Sequence, residues 1–250
     1  MRIDVFLTSN GLCASRSKAA SAIKDGRVLV DGKPVEKPSF DVNGTELIEV
    51  KPEENGFVSR AGKKLSAALE LFGIDVSGAV VADLGASTGG FTDCVLRAGA
   101  SFVYAVDVGR DQLALPLRED ERVCNMENTN ARYLKKEMFG KTIDVVVTDV
   151  SFISQRLLFP SVSDILKDGG VFVSLIKPQF EVGRAHIGKN GIVHDADGKL
   201  FAKVVSELRE AGKENGLFLQ KTADSPILGG DGNREYLAYW TKAGKERVNA

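Results

Sequence analysis

The pattern of apolar and polar positions after residue 56 alternates between two periods. Strand-sized apolar runs read VVADLG at 80–85, SFVYAVDVG at 101–109, IDVVVTDV at 143–150 and GGVFVSLIKP at 169–178. Helical, amphipathic stretches lie at 90–98, 110–118, 154–167 and 197–214, and two late strands are predicted near 218–222 and 236–241. Strands separated by helices indicate a parallel sheet with helices on both faces. We therefore predict an α/β, Rossmann-like doubly wound sheet.

The first fifty residues have a different pattern. Their apolar positions fit a short helix at the start and a second helix from Lys18 to Asp25. The run VLVDGKPV at 28–35 predicts two strands joined by an Asp-Gly turn, and a third strand is predicted at 47–50. This part of the chain is predicted to be a small α+β unit.

The stretch KPEENG at 51–56 has the polar composition of a linker. We place the domain boundary there, with a small domain at 1–55 and the doubly wound domain at 56–250. About 195 residues are enough for the second domain to have a core of its own.

Composition narrows the classes of function. The 250 residues include three cysteines and two histidines, without a CxxC pair, which disfavours a disulfide framework, structural zinc and histidine-based catalysis. No apolar run approaches the roughly 18 residues that cross a bilayer, and the start, MRIDVFLTSN, has no signal-peptide core. We expect a cytoplasmic protein that uses no metal and no membrane.

Charge is distributed unevenly along the chain. The net charge is -1, so a site for a polyanion must be a local patch. Residues 1–27 have five basic side chains against two acidic ones, whereas residues 28–54 have seven acidic against three basic. A solvated helix face is the alternative interpretation of the basic segment. The candidates for contacts with RNA phosphates are Arg2, Arg16, Lys18, Lys24 and Arg27.

The stretch DLGASTGGF at 83–91 joins the first strand of the large domain to its first helix, where doubly wound sheets bind ligands. Asp107 ends the next strand, where an acid typically accepts hydrogen bonds from ribose hydroxyls. Asp83 and the glycine spacing disfavour a pyrophosphate, so cationic S-adenosylmethionine fits better than NAD. The predicted cofactor-binding residues are Asp83, Gly85, Ala86, Ser87, Thr88, Gly89, Gly90, Phe91 and Asp107.

The chain lacks the sequence features of two kinds of methyl transfer. It reads DVSF at 149–152, where enzymes that methylate exocyclic amines commonly have a D/N-P-P-Y-like turn. Cytosine-C5 chemistry needs a nucleophilic cysteine, usually after a proline, and none of the three cysteines follows one. A hydroxyl group is therefore the favoured acceptor.

A hydroxyl acceptor needs a base, and lysines are the candidates. Lys177 ends the fifth predicted strand, and Lys63 and Lys64 lie just before a probable helix. A lysine acts as a base when burial or a second cation lowers its pKa. Asp149 and Glu235, at two other strand ends, could orient these amines.

Five motifs occur in order along the chain: SRAGKKL, DLGASTGGFTD, TDVSFIS, IKPQFEVG and GNREY. By these motifs nearly the whole chain resembles the TlyA family, rRNA 2′-O-methyltransferases that are also labelled haemolysins, and the large domain is similar to FtsJ-type RNA methyltransferases. The run at 15–35 resembles about half of the RNA-binding domain named after ribosomal small-subunit protein four.

The resemblance implies a cofactor, a partner and a set of catalytic residues. The cofactor is S-adenosylmethionine, the partner is ribosomal RNA or a ribosomal subunit, and the product is a 2′-O-methyl ribose. Lys177 takes the proton of the hydroxyl group, and the other three members position it. The implied tetrad is Lys64, Asp149, Lys177 and Glu235.

Two other functions stay open at this point. One is a haemolysin-like membrane-active protein, which would need a strongly amphipathic basic helix. The other is a non-catalytic RNA-binding module with a vestigial cofactor pocket. The segment 179–195, which contains three glycines, is expected either to close over the substrate or to form an ordered surface insert.

Overall fold

The structure is a computed structural model that describes residues 1–13, 15–24, 26–51, 56–183, 186–188, 191–195, 197–229 and 232–244. Internal contacts divide the chain into two compact units, Met1–Gly56 and Phe57–Ala250. The boundary predicted from composition falls one residue earlier. Most of the predicted linker, residues 52–55, lies outside the described residues.

The amino-terminal unit contains two helices and a three-stranded antiparallel sheet of order β2-β1-β3. Asp31 and Gly32 have φ angles of 50° and 76°, as the two-residue turn of a hairpin requires. The helices pack on the sheet through a small apolar core that includes Ile3, Leu7 and Ile23. The elements are α1 Ile3–Ser9, α2 Arg16–Lys24, β1 Val28–Val30, β2 Lys33–Pro34 and β3 Ile48–Val50.

The second unit is built on a seven-stranded sheet of order β6-β5-β4-β7-β8-β10-β9. Its strands are β4 Val80–Leu84, β5 Phe102–Val106, β6 Val123–Met126, β7 Ile143–Thr148, β8 Leu166–Ile176, β9 Leu217–Asp224 and β10 Tyr236–Lys242. Its helices are α3 Ala61–Phe72, α4 Gly90–Arg97, α5 Leu115–Arg118, α6 Phe159–Ile165, α7 Pro178–Glu181 and α8 Lys199–Glu214. The predicted doubly wound α/β fold is confirmed.

Each face of the large sheet has its own core. On one face Leu65 and Phe72 of α3 pack with Phe91 and Val95 of α4. On the other face the buried aromatic side chains of Phe159, Phe172 and Trp240 pack together with residues of α8. Burial on both faces explains why the central strands read as nearly continuous apolar runs.

The predicted parallel sheet has an antiparallel edge, which the sequence analysis did not foresee. The strands β6, β5, β4, β7 and β8 are parallel, but β10 runs antiparallel to β8 and to β9. No helix lies between β9 and β10 among the described residues, and the two strands run in opposite directions. The start of β10 therefore lies at the same edge as the end of β8.

Two predicted helices are shorter in the structure, for the same reason. The stretch 110–118 is helical only from Leu115, and the stretch 154–167 forms a 3₁₀ turn at Gln155–Leu157 before α6. Pro116 and Pro160 lie in the first turns of α5 and α6, where a missing N–H costs nothing, whereas a helix interior would lose a hydrogen bond. The sequence analysis also missed β6.

Candidate active site

Four charged side chains meet beyond the carboxyl ends of β7 and β8. Lys64 Nζ lies 2.5 Å from Glu235 Oε2 and 3.6 Å from Asp149 Oδ2. Lys177 Nζ lies 2.6 Å from the other carboxylate oxygen of Asp149, Oδ1. Asp149 therefore bridges the two lysines, and the structure joins all four predicted catalytic residues in one chain of alternating charge.

Both candidate lysines of the SRAGKKL motif lie inside α3. The sequence analysis expected them just before a helix, and that expectation is wrong. The helix begins at Ala61 although Gly62 is a poor helix former. A Cβ atom at Gly62 would lie 2.6 Å from the ring of Phe57, so close packing requires glycine there. Lys64 is 5% exposed and reaches the charged group, whereas Lys63 is only partly buried.

The charged group is largely shielded from water. The exposed fractions of Lys64, Lys177 and Glu235 are 5%, 7% and 4%. Buried charges are tolerated when opposite charges compensate them, and here two lysines face two carboxylates. Removing one member leaves its partner charged and buried without compensation.

Ser151 is a member of this group that the sequence analysis did not name as a site residue. Its hydroxyl oxygen accepts a hydrogen bond from Lys177 Nζ at 3.0 Å. Ser151 is exposed, so its own hydroxyl hydrogen remains available on the solvent side. The signal that could have indicated it is its place two residues after Asp149 in the turn that follows β7.

Two neighbouring clefts open beside the charged group. The larger has a volume of about 720 Å³ and the smaller about 240 Å³. Gly85, Ser87, Asp149 and Ser151 line both clefts, so the clefts adjoin each other along these residues. Lys177 lines the smaller one. Volumes of this order are typical of small-molecule sites.

Seven of the nine predicted cofactor-binding residues line these clefts. Asp107 lines the larger cleft together with Gly85 and Ser87. Asp83 and Gly89 line neither of the two. The predicted residues on the smaller cleft are Gly85, Ala86, Ser87, Thr88, Gly90 and Phe91.

The glycines of the turn after β4 are needed mainly for packing within the protein. A Cβ atom at Gly89 would collide with Leu117 Cδ1 and lie 2.8 Å from Leu113 Cδ1, and one at Gly90 would collide with Ser59 Oγ. The sequence analysis attributed the glycines to close approach of a ligand. Gly85 alone combines a positive φ of 84° with a place on both clefts.

Asp83 is fully buried beneath this turn. Its Oδ2 atom accepts a hydrogen bond from Thr92 Oγ1 at 2.7 Å, and its Oδ1 atom has no hydrogen-bond partner among the described residues. Burial raises the pKa of Asp83 to about 7, and the charges of Asp149 and Asp107 act in the same direction. The folded domain therefore favours the protonated form of this carboxyl group.

Asp107 connects the turn after β4 to the turn after β5. Its Oδ2 atom accepts the N–H of Ser87 at 2.7 Å, and its Oδ1 atom accepts the N–H of Gly109 at 2.6 Å. A carboxylate offers about four lone-pair positions, so both oxygens can accept further hydrogen bonds from a ligand in the larger cleft. Ser87 itself has a positive φ of 49°, which this contact helps to hold.

The larger cleft is also lined by residues that the sequence analysis missed. One group, from Thr129 to Arg132, follows the unpredicted strand β6, and another, from Val150 to Ser154, follows β7. In the second group Phe152 has a φ of 65° and is 89% exposed, beside Phe180 at a ring distance of 5.2 Å. An exposed aromatic ring in the left-handed region is unusual, which makes Phe152 a candidate functional residue.

The basic side chains predicted to bind RNA lie in the amino-terminal unit. Arg2 and Arg16 both donate to the buried carboxylate of Asp4, at 3.0 Å and 2.9 Å, and these bonds lower the pKa of Asp4 to about 2. Arg27 Nη1 donates to the carbonyl oxygen of Lys51 at 3.3 Å. Lys18 and Lys24 are exposed. Part of the predicted positive charge is therefore compensated within the unit.

A second basic segment, residues 130–141, lies in the large domain. It has four basic side chains and one acidic side chain, and the sequence analysis did not single it out. Arg132, Lys135 and Lys136 are exposed and form no ion pair with any described residue. Arg132 lies over the ring of Tyr133, which is 68% exposed, and also lines the larger cleft.

The described parts of the segment 179–195 are held by hydrogen bonds. The N–H of Val193 donates to Asn233 Oδ1 at 2.9 Å, and Asn233 Nδ2 donates to the carbonyl oxygen of Gly191 at 3.0 Å. Asp195 accepts the N–H groups of Leu200 and Phe201 at the start of α8. These contacts favour the ordered insert over the closing loop, while residues 184–185 and 189–190 lie outside the described residues.

Metal-ion sites and membrane-spanning helices are two features that the sequence disfavoured. Among the described residues, no group of three or more histidine, cysteine, aspartate or glutamate side chains could hold a metal ion. None of the described helices has the length and apolar character needed to cross a bilayer.

Comparison with known proteins identifies the family. A family model described as FtsJ-like methyltransferase matches residues 57–242, and a model of the S4 domain matches residues 1–48. The chain belongs to the FtsJ-like methyltransferase family. Together with the relatives below, these matches confirm the resemblance to the TlyA family.

Three similar proteins illustrate the relationship. The 16S/23S rRNA (cytidine-2′-O)-methyltransferase TlyA of Mycobacterium tuberculosis is 42% identical, over 99% of this chain and 91% of its own. Hemolysin A of Brachyspira hyodysenteriae is 43% identical, over 96% of this chain and 99% of its own. The solved structure of a candidate hemolysin from Streptococcus thermophilus has a TM-score of 0.78 and 40% identity, covering 97% of this chain and 88% of that one.

Proposed function

We propose that this methyltransferase moves a methyl group from S-adenosylmethionine to the 2′-hydroxyl of a ribose in ribosomal RNA. The observation that carries the proposal is the position of Lys177. Its amine lines the smaller cleft together with Gly85 and Ser87 of the turn after β4, while Lys64 and Glu235 lie behind it. Of the two buried lysines, Lys177 is the one that an acceptor hydroxyl can reach.

The clefts fit S-adenosylmethionine by their chemistry. Asp107, with lone pairs left after two backbone contacts, would accept hydrogen bonds from the ribose hydroxyls in the larger cleft. When ionised, Asp83 places a negative charge beneath the turn that lines both clefts, which disfavours a phosphate there. When bound, the cofactor supplies a methyl group that is electrophilic because it is attached to a positively charged sulfur.

Lys177 is proposed to take the proton of the acceptor hydroxyl. A lysine accepts a proton only in its neutral form. Lys177 is 7% exposed and shares the carboxylate of Asp149 with Lys64. Glu235 compensates the charge of Lys64, and Asp149 orients the Lys177 amine toward the cleft.

The surface around the clefts supports RNA as the acceptor. The exposed ring of Phe152, in the turn that contains Ser151, offers a stacking platform for a nucleobase. Arg132, which lines the larger cleft, and the exposed Lys135 and Lys136 of the same segment provide positive charge for phosphates, and none of the three forms an ion pair with a described residue. An S4 domain and relatives that are named as rRNA methyltransferases support ribosomal RNA as the specific partner.

The proposal is tested by incubating the protein with ribosomal subunits and with naked rRNA in the presence of radiolabelled S-adenosylmethionine. The labelled RNA is then hydrolysed in alkali. Alkaline cleavage uses the 2′-hydroxyl as nucleophile, so a 2′-O-methyl group leaves a gap in the hydrolysis ladder at the labelled nucleotide. Label on a nucleotide that still cleaves would place the methyl group on a base, and absence of label in both substrates would contradict the proposal.

A further inference from the structure

We propose that Glu181, in the IKPQFEVG motif, is a positioning residue for methyl transfer. It fixes the turn at 149–156 to the segment that follows β8, so that Lys177 meets Asp149 and Ser151 in register. The inference rests on the proposed function, in which Lys177 receives the proton.

Glu181 makes two hydrogen bonds to the turn that follows β7. Its Oε2 atom accepts from Ser154 Oγ at 2.6 Å, and its Oε1 atom accepts from the backbone N–H of Gln155 at 2.8 Å. The side chain of Glu181 is 2% exposed, so these bonds are shielded from water. Glu181 lies only four residues after Lys177, at the end of α7, and therefore links the two catalytic segments directly.

Gln155 adds a second connection between the same segments. Its side-chain Nε2 donates to the carbonyl oxygen of Leu175 in β8, and its Oε1 accepts from Ser174 Oγ at 3.0 Å. Ser174 in turn accepts from Trp240 Nε1 at 3.0 Å. Gln155 is 2% exposed, and its backbone N–H depends on Glu181 for its hydrogen bond. The side chain of Gln155 holds the turn to the strand, and Glu181 holds the same residue from the other side.

The turn needs such connections because its conformation is strained. Phe152 has a φ of 65°, a conformation that a bulky residue keeps only when neighbouring contacts hold it. Asp149 and Ser151, on the same turn, contact Lys177 Nζ at 2.6 Å and 3.0 Å. A displacement on the order of 1 Å at a reacting group can reduce a rate by about 100-fold. Rigid attachment of this turn therefore keeps the Lys177 amine, the proposed proton acceptor, in position.

Glu181 acts from behind the site and does not touch the reacting atoms. It lines neither of the two clefts beside the catalytic group, but a separate cleft of about 260 Å³ with Arg156, Lys203 and Glu207. Arg156 Nε lies 3.8 Å from Glu181 Oε2, and Arg156 Nη2 lies 3.4 Å from Glu207 Oε2. Burial raises the pKa of Glu181, although the hydrogen bonds from Ser154 and Gln155 and the charge of Arg156 act in the opposite direction.

Glu207 provides a matched control in the same cleft. It is an acid that pairs with the same arginine, but it is 40% exposed and accepts no hydrogen bond from the backbone of the turn in the described structure. Glu181→Gln is the conservative variant, because an amide oxygen can still accept the Gln155 N–H while the amide nitrogen donates to Ser154 Oγ. Glu181→Ala removes both bonds and leaves the Gln155 N–H buried without a partner.

The experiment compares wild type with Glu181→Ala, Glu181→Gln and Glu207→Ala in the full chain. We measure the single-turnover rate of methyl transfer to ribosomal subunits, the affinity for S-adenosylmethionine and the amide hydrogen exchange of residues 150–156. Glu181→Ala should reduce the rate by about 10- to 100-fold. The loss of cofactor affinity should be at least fivefold smaller than the loss of rate, and exchange in the turn should accelerate. Glu181→Gln and Glu207→Ala should stay within about threefold of wild type in rate, because the turn keeps its hydrogen bonds.

Three outcomes would overturn the inference. They are an unchanged rate in Glu181→Ala, an equal loss in Glu207→Ala, and a loss in Glu181→Gln as large as in Glu181→Ala. If Glu181→Ala does not fold, a rate for Glu181→Gln below one tenth of wild type, with normal exchange in the turn, contradicts positioning. Exchange of the turn is measurable even in a protein that transfers no methyl group, so failure of the proposed function is distinguished from failure of this inference.

Discussion

Tyr236 is the register partner of Ile176 where β10 runs antiparallel to β8. This pairing places the residue before Tyr236 next to the residue after Ile176, so Glu235 and Lys177 lie at the same edge of the sheet. In a parallel arrangement the start of β10 would lie at the opposite edge. The chain of charge from Glu235 to Lys177 thus depends on the direction of one strand.

The lysines of the charged group are expected to differ in their effects. Lys177→Ala should abolish methyl transfer and leave cofactor affinity nearly unchanged, because the amine acts on the acceptor. Lys64→Ala should reduce both activity and stability, by about 3 to 5 kcal/mol, because Glu235 would stay buried and unpaired. Lys63→Ala is the control. We test this by measuring methyl-transfer rates, cofactor affinity by calorimetry, and stability by urea unfolding. A large loss of activity in Lys63→Ala together with normal activity in Lys64→Ala would contradict the assignment.

Asp107→Asn should weaken S-adenosylmethionine by roughly 10- to 100-fold, since hydrogen bonds to a charged group contribute about 1.5 to 3 kcal/mol. The new amide nitrogen would also face the N–H of either Ser87 or Gly109, which disturbs the turn. Asp111→Asn is a suitable control because this exposed carboxylate pairs only with Arg118 among the described residues. Isothermal calorimetry gives the affinities, and equal values for wild type and Asp107→Asn would remove Asp107 from the site.

Asp83 should give the domain a characteristic dependence of stability on pH. The pKa of Asp83 is about 7 in the folded protein, above its value in an unfolded chain. Protonation of Asp83 therefore favours the folded state, and its contribution to the free energy of unfolding is fully present at low pH. That contribution is lost as the pH rises through about 4 to 7. Asp83→Asn can keep the hydrogen bond from Thr92 but does not titrate. Its free energy of unfolding should therefore increase by about 2 to 3 kcal/mol relative to that of wild type when the pH is raised from 5 to 8. Urea unfolding at both pH values tests this, and parallel changes in the two proteins would argue against a raised pKa.

Gly89 is expected to tolerate no side chain, for reasons of packing. Gly89→Ala combines an unfavourable φ of 96° with a collision against Leu117, and should cost about 2 to 5 kcal/mol. Gly78→Ala has a positive φ of 71° with nothing within 4 Å, and should cost only about 1 to 2 kcal/mol. Thermal unfolding without cofactor separates the two contributions. Equal losses of stability in both variants would mean that the Leu117 side chain moves to accommodate the new methyl group, so that packing does not require glycine at position 89.

The basic segment at 130–141 should contribute to RNA binding. Replacing Lys135 and Lys136 with alanine should lower the magnitude of the salt slope of rRNA affinity by about 1 for each lost phosphate contact. Cofactor affinity should not change. The matched control replaces Lys213 and Lys221, two exposed lysines at the far end of α8 and on β9. The same salt slope in both double variants would mean that the segment is only a solvated face.

The sequence by itself determined the class of fold and most of the candidate site. Alternating periods of apolar residues predicted the strands β4, β5, β7 and β8, because local burial on both faces leaves a continuous apolar run. The ends of parallel strands lie at one edge, so Asp107, Asp149 and Lys177 could be assigned to a common site without knowledge of their contacts. The proline effects on α5 and α6 follow from local backbone rules that the sequence analysis did not apply, whereas the weakly apolar strand β6 was missed because tertiary contacts decide so short a strand.

Only the tertiary structure decided how the site is connected. Antiparallel pairing of β10 brought Glu235 to the catalytic edge, and the early start of α3 selected Lys64 over Lys63 by burial. Contacts between residues distant in sequence leave no local periodic signal, as the pair Lys64 and Glu235, 171 positions apart, illustrates. The same holds for Glu181 and the turn after β7, since a buried hydrogen bond between two loops depends on the placement of both strands that precede them.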